Sequence, residues 1–201
     1  MSRASRWQAQ ENRQRIVATA SRMFREKGTA VSIADLMKTT GLTHGGFYKH
    51  FTSKDDLVDE AIAHAFADPG KPSARPATEL QEHAEEHQAA RRRLIEHYLS
   101  VQHRDDPGSA CPVSALATDL GRDPAQAARS NHVYTTGIRN LAARLTTDHN
   151  DGMAQLCTLV GALLLARATQ NSPISEELLQ TAHAALTENG TSQSAPQQGM
   201  S

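Results

Sequence analysis

Several things are scarce in this 201-residue chain, and each scarcity excludes something. Aromatic residues make up only 4% while alanine and leucine abound, a composition of packed helices rather than sheets. Two cysteines, Cys111 and Cys157, are too few for a disulfide framework or a zinc site and point to a reducing cytoplasm. There is no run of 18 apolar residues, and no apolar segment follows the first arginines, so neither a membrane span nor a secretory signal is expected. The G-x-S-x-G, P-loop, dinucleotide-glycine and H-E-x-x-H patterns are all missing. Binding rather than turnover is therefore expected, with no cofactor. His83 and His87 sit at i and i+4 but have no third ligand nearby, so they are read as a solvated face and not a metal site.

What is present is unevenly distributed. Residues 1–54 hold ten Lys/Arg against three Asp/Glu, a net +7. The remaining eleven against nineteen give −8, and the two sum to the overall −1. A basic end on an acidic body suits a polyanionic partner, since neutralising phosphates releases counterions.

The stretch Ser32 to Lys54, SIADLMKTTGLTHGGFYKHFTSK, carries the most information. Ile33, Leu36 and Met37 fall at helical spacing, Ser32 can cap that helix and hold a phosphate, and Gly41 can end it with a positive φ. Thr43 is a suitable N-cap for a second helix with Phe47 and Phe51 inward. The other face carries His44, Gly45, Tyr48, Lys49 and His50, which can reach phosphates and base edges, while Gly45 and Gly46 allow close backbone approach. Two short helices about a tight turn, the second bearing such a face, form a helix-turn-helix.

Met1 to Gln10 reads as a flexible basic arm, and Glu11 to Lys27 as an amphipathic helix ended by Gly28. Ser53 caps a helix running to about Ala67, and the proline-rich 68–76 is a loop at a domain boundary. Helices are then expected over Thr78–Gln102, from Cys111 with Pro112 in the first turn, over Ala125–Thr146, over Met153–Thr169, and from Ser175 to about Leu186. Arg104 to Ala110 is read as a turn, Cys157 as a core residue, and 189–201 as a disordered tail.

The run from Gly41 to Lys54 closely resembles the DNA-binding signature of the tetracycline-repressor (TetR) family of bacterial regulators, with Gly41, Tyr48, His50, Phe51 and Lys54 in register. The resemblance extends from about Arg13 to Ile62. It implies an all-α fold of about nine helices: a three-helix DNA-binding domain over 11–52, a connecting helix over 53–68 that transmits induction, and a ligand-binding and dimerisation domain over 69–188. It also implies a homodimer through the last two helices, a palindromic operator in double-stranded DNA and an apolar or electrophilic effector. By position, Thr43, Tyr48, Lys49 and Lys54 would hold phosphates, and His44, Gly45 and His50 would closely approach bases or backbone. The setting of Cys111 is similar to a Gly-Cys motif in members that respond to electrophiles, which makes it a candidate sensor. A reversible effector would instead be lined by Leu94, Tyr98, Val101, Leu116, Val133 and Leu163, with His97 as a polar handle. Three alternatives stand beside the repressor reading: an activator of the same fold, a thiol-dependent enzyme using Cys111 with His97 or His103 as base, and an interaction scaffold that does not bind DNA.

Overall fold

The computed structural model describes residues 3–67, 84–147 and 151–188. They form ten α-helices: α1 (Arg3–Lys27), α2 (Ile33–Thr40), α3 (His44–Phe47), α4 (Lys54–Ala67), α5 (Ala84–Tyr98), α6 (Val101–Asp105), α7 (Pro112–Arg122), α8 (Pro124–Leu145), α9 (Gly152–Ala168) and α10 (Ile174–Glu188). A 3-10 turn, Pro107–Ser109, joins α6 to α7. The all-helical class expected from the scarcity of aromatics is what the described residues adopt.

Most boundaries fall within a residue or two of the periodicity, and three differ for physical reasons. Helix α1 begins at Arg3, so residues 3–10, read as an arm, extend it by two turns. Their arginine, alanine and glutamine residues are good helix formers, and the Gln8 side-chain amide donates to Glu11 (3.2 Å) and Asn12 (3.4 Å) one turn on. The helix expected over Thr78–Gln102 is interrupted at Leu99–Ser100, where the Ser100 hydroxyl accepts the His103 amide at 3.1 Å and caps a new helix. The start of that expected helix, the loop 68–76 and the tail 189–201 lie outside the described residues. Third, Arg104–Ala110 is not a simple turn: α6 runs on to Asp105, and the Asp106 carboxylate then accepts the Ser109 amide at 3.1 Å.

The chain divides into two compact units, Met1–Pro76 with Asp106–Asn140, and Ala77–Asp105 with Leu141–Ser201. In the first, α1 packs against α2, α4 and α7. Its core is Ile16, Ala20, Met23 and Phe24 of α1 with Leu36, Met37, Phe47, Phe51, Leu57, Ala61 and Ile62, joined by Leu116 and Leu120 from α7. In the second unit α9 and α10 lie along one another. Arg91 pins α5 there: its guanidinium donates to Gln155 Oε1 (2.7 Å) and to the carbonyls of Leu145 (3.1 Å) and Leu186 (2.9 Å). Burial holds its pKa below the ordinary guanidinium value. Arg104 donates to the Ser175 hydroxyl (2.8 Å), which donates in turn to the Ala166 carbonyl (2.7 Å), tying α6 to the α9–α10 connection.

Candidate nucleic-acid interface

Serine 32 caps α2 through its hydroxyl, which accepts the Asp35 amide at 3.1 Å. At the other end Gly41 takes φ 72°, and the amides of Gly41 and Leu42 return to the carbonyls of Lys38 (3.1 Å) and Met37 (3.0 Å). This close turn sets the entry to α3. Thr43 occupies the N-cap of α3 with extended backbone, but its side chain makes no capping bond, leaving the hydroxyl exposed for another acceptor. The helix itself is only four residues long, shorter than the Phe47/Phe51 spacing suggested. Two successive glycines weaken it, and Tyr48 to His50 continue as a turn.

Two phenylalanines anchor this short element. Phe47 is fully buried and Phe51 nearly so, their rings stacked 5.4 Å apart. The Arg13 guanidinium of α1 lies 4.7 Å from the Phe51 ring centre and also forks onto the Glu60 carboxylate of α4. Glu60 raises the Arg13 pKa, so this cation stays charged where three elements meet. Outward of this anchor, His44, Gly45, Tyr48 and Lys49 are exposed, Tyr48 to 61%. Its ring stands edge-on to Phe47 (5.2 Å) and His44 (6.1 Å), which orients it toward solvent. A Cβ at Gly45 would meet nothing within 4 Å, and one at Gly46 only ordinary contacts, so no neighbour in the chain demands glycine at either position.

Electrostatics complete the surface. His50 is half-buried, and its pKa is lowered first by burial and then by the charges of Arg13 and Lys49. Lys54, at the first turn of α4, has its pKa lowered by burial, an effect partly offset by Asp55. The Ser53 hydroxyl caps α4 by accepting the Asp56 amide at 3.0 Å.

Residues 16–61, which include this helix-turn-helix and its apolar anchor, match the family model for bacterial regulatory proteins, tetR family. Over that segment the chain is similar to the tetR family. Over 61 residues it is 39% identical to the HTH-type transcriptional regulator AcrR of Shigella flexneri, and over 63 residues 36% identical to the HTH-type transcriptional regulator TtgR of Pseudomonas putida. Those matches take in 30% and 31% of this chain and 28% and 30% of the relatives, so the chain spans under a third of the length of the curated relatives it matches. The fold is shared more widely. A TetR transcriptional regulator from Chloroflexus aurantiacus superposes with a TM-score of 0.64 at 20% identity over 92% of this chain and 97% of that one. Reduced E. coli NemR gives 0.61 at 19% over 88% and 96%.

The remaining positions singled out in the sequence are scattered. Leu116 lies in the first unit's core with Val133 packed against it, whereas Leu94, Tyr98 and Leu163 are buried in the second unit. Val101 and His97 are exposed, and Val101 borders a cavity of about 220 Å³ with Leu99, Glu176, Leu179, Gln180 and His183. The His103 ring lies 5.2 Å from that of His97 and its Nδ1 is 2.9 Å from the Tyr98 carbonyl oxygen. Cys111 is buried at the N-cap of α7, before Pro112. Nearby, Tyr134 donates to the Val113 carbonyl (2.7 Å), and its phenol is raised well above the usual range by burial first and by Cys111 second.

Cys157, expected in the core, is exposed on α9. That helix is apolar almost all round: Leu156, Leu159, Leu163 and Ala166 face in, while Met153, Cys157, Leu164 and Leu165 face out, so periodicity could not say which side was buried. Among the described residues no group of three or more His, Cys, Asp or Glu could hold a metal ion, and His83 lies outside them. No described helix is long and apolar enough to cross a membrane.

Sequence reasoning missed Arg13 as an anchor, and it missed the ties from 106–140 to α1, the α1–α2 turn and α4. Asp119 of α7 accepts the Thr29 amide at 2.6 Å, and Arg25 donates to the Gly108 carbonyl at 2.9 Å. Gln126 and Ser130 of α8 both donate to Asp59 of α4, at 3.1 and 2.5 Å, and Arg129 pairs with Asp55 at 2.9 Å. Partners so far apart in the chain leave no local spacing to read.

Proposed function

We propose that the chain is a homodimeric transcriptional repressor whose α3 enters a major groove of a palindromic operator, and which an apolar or thiol-reactive effector releases. The observation that carries this is the outward set His44, Gly45, Tyr48 and Lys49 standing on the buried Phe47. Side chains held that firmly can be pre-positioned for phosphates and base edges. Open space beyond Gly45 suits a close approach by the DNA backbone. A four-residue helix reaches too few base pairs to be selective by itself, so two copies are needed, set one helical turn or about 34–36 Å apart. The outward row Met153, Cys157, Leu164 and Leu165 on α9 supplies an apolar face for that pairing.

Release has a mechanical route within the first unit. Helix α7, with Cys111 at its N-cap, is a rod of 11 residues and about 16 Å that holds Thr29 through Asp119 near its other end. A change at the Cys111 end that shifts α7 pulls on the turn between α1 and α2, and effectors act by favouring the arrangement that fits the operator less well.

Titrations of fluorescently labelled DNA from upstream of the coding region test the reading. Lys54→Ala and Tyr48→Ala weaken binding to every duplex, whereas His44→Ala alters the preference among operators. Unchanged affinity in Lys54→Ala would overturn the phosphate role. Loss of release by N-ethylmaleimide in Cys111→Ser but not in Cys157→Ser supports the thiol route, and persistent binding after alkylation leaves a reversible ligand.

A further inference from the structure

The break between α5 and α6 at Leu99–Ser100 leaves a hollow beside α10 in the second unit. Leu99 and Val101, from either side of that break, line the cavity of about 220 Å³ together with Glu176, Leu179, Gln180 and His183. At 3.6 residues per turn, positions 176, 179, 180 and 183 share one face of α10. Leu99 and Leu179 are buried and make an apolar floor, with Val101 exposed at its edge. Glu176 stands at one end of the row and half-buried His183 at the other, about 10 Å along the axis, with Gln180 between them. None of these three polar side chains makes a hydrogen bond or ion pair among the described residues. Arg104 feels the charge of Glu176, but its guanidinium donates to Asp105 (2.7 Å) and Ser175 (2.8 Å) and does not line the cavity.

We propose that this cavity binds a small organic amine, a single apolar ring on a short arm that ends in an ammonium group. The ring lies on Leu99, Val101 and Leu179, and His183 closes the far end against it. The ammonium donates to the Glu176 carboxylate, with the Gln180 side-chain carbonyl as a second acceptor. Glu176 is the carboxylate of the lining and no lysine or arginine joins it there, so charge complementarity selects a cation over an anion. The volume falls below the roughly 300–1,000 Å³ of sites for drug-sized ligands, which restricts the occupant to about one ring. Contact with the apolar floor supplies the affinity, and the carboxylate supplies the choice. The cavity shares no residue with the α3 surface or with the Cys111 end of α7, so the proposal stands without either.

The experiment titrates the full chain with phenethylamine, phenethyl alcohol and phenylacetate, which share a ring and short arm and differ in charge, by isothermal calorimetry and by amide chemical shifts. The expected result is one saturable site for the amine, with shifts gathered at 99–101 and 176–183, and with phenylacetate binding more weakly than the neutral alcohol. Glu176→Gln brings the amine down to the level of the alcohol, a loss of roughly fivefold, the upper end for an exposed ion pair. Glu176→Lys reverses the order in favour of phenylacetate. Val101→Trp fills the cavity from an exposed position and removes binding of all three, with far-UV circular dichroism unchanged. Absence of saturable amine binding at millimolar concentration overturns the proposal. So does amine affinity that Glu176→Gln leaves untouched, amine binding that survives in folded Val101→Trp, or shifts that gather elsewhere. Where Val101→Trp fails to fold, the glutamine and lysine variants decide alone.

Discussion

Two glycines with left-handed backbone, Gly28 at φ 83° and Gly41 at φ 72°, allow the contribution of Asp119 to be measured by difference. An alanine Cβ at Gly41 would meet nothing within 4 Å, so Gly41→Ala costs only the left-handed strain, about 1–2 kcal/mol. At Gly28 the same strain applies, but the Cβ would come 2.6 Å from Asp119 Oδ2. The carboxylate can swing away cheaply, yet Oδ2 is the acceptor of the Thr29 amide, and a hydrogen bond to a charged group contributes about 1.5–3 kcal/mol. Gly28→Ala should therefore cost about 1.5–3 kcal/mol more than Gly41→Ala, or about 3–12 °C in midpoint for a chain of this size. Urea unfolding followed by circular dichroism at 222 nm reads the difference. On an Asp119→Ala background that excess should vanish, leaving Gly28→Ala no more costly than Gly41→Ala. Strictly additive costs, or equal costs for the two glycines in the native background, would show that Asp119 does not hold this turn.

Other outcomes follow from the same geometry. Gly152→Ala would bring a Cβ within 2.0 Å of the Ala142 carbonyl and 2.8 Å of the Thr146 amide, backbone atoms that no rotamer can move, so a loss of about 1–3 kcal/mol or more is expected in thermal unfolding. Leu165, 56% exposed on α9, should tolerate arginine within about 0.5 kcal/mol in the single chain while Leu165→Arg sediments as a monomer; an unchanged dimer would move the interface elsewhere. In native protein a thiol reagent should label Cys157 rapidly and Cys111 only on local opening, the two rates converging in urea. The native pKa of His50 lies below the ordinary 6.5, so as pH falls below about 6.5 the unfolded chain takes up the proton first. The His50 contribution is thus present above 6.5 and lost as pH falls through the native value, and a His50→Gln series of urea midpoints should show a shallower acid decline than wild type.

Local chemistry was legible and remote chemistry was not. Ser32, Gly41 and Ser53 could be placed because caps act within three or four residues, and Phe47 and Phe51 because one short segment must bury both. The length of α3 was overestimated, since a pattern of inward residues says nothing of whether the backbone between them stays helical through Gly45 and Gly46. The outward turn of Cys157 was hidden by a helix with leucine on every side. The Arg13–Glu60 fork and the Asp119–Thr29 bond join residues 47 and 90 positions apart, and only folding brings them together.

The first unit is discontinuous in sequence, and this bears on how such proteins can be recombined. Leu116 and Leu120 complete the core that Phe24, Phe47 and Ile62 begin, and Asp119, Gly108, Gln126 and Ser130 hold its turns and helices from outside. The family match ends at residue 61, which invites a single cut near that point when chimaeras are built. A graft made there would separate the reading helices from two core leucines and the acceptor of the Thr29 amide. A working exchange of specificity must transplant 106–140 as well, or rebuild those contacts on the recipient.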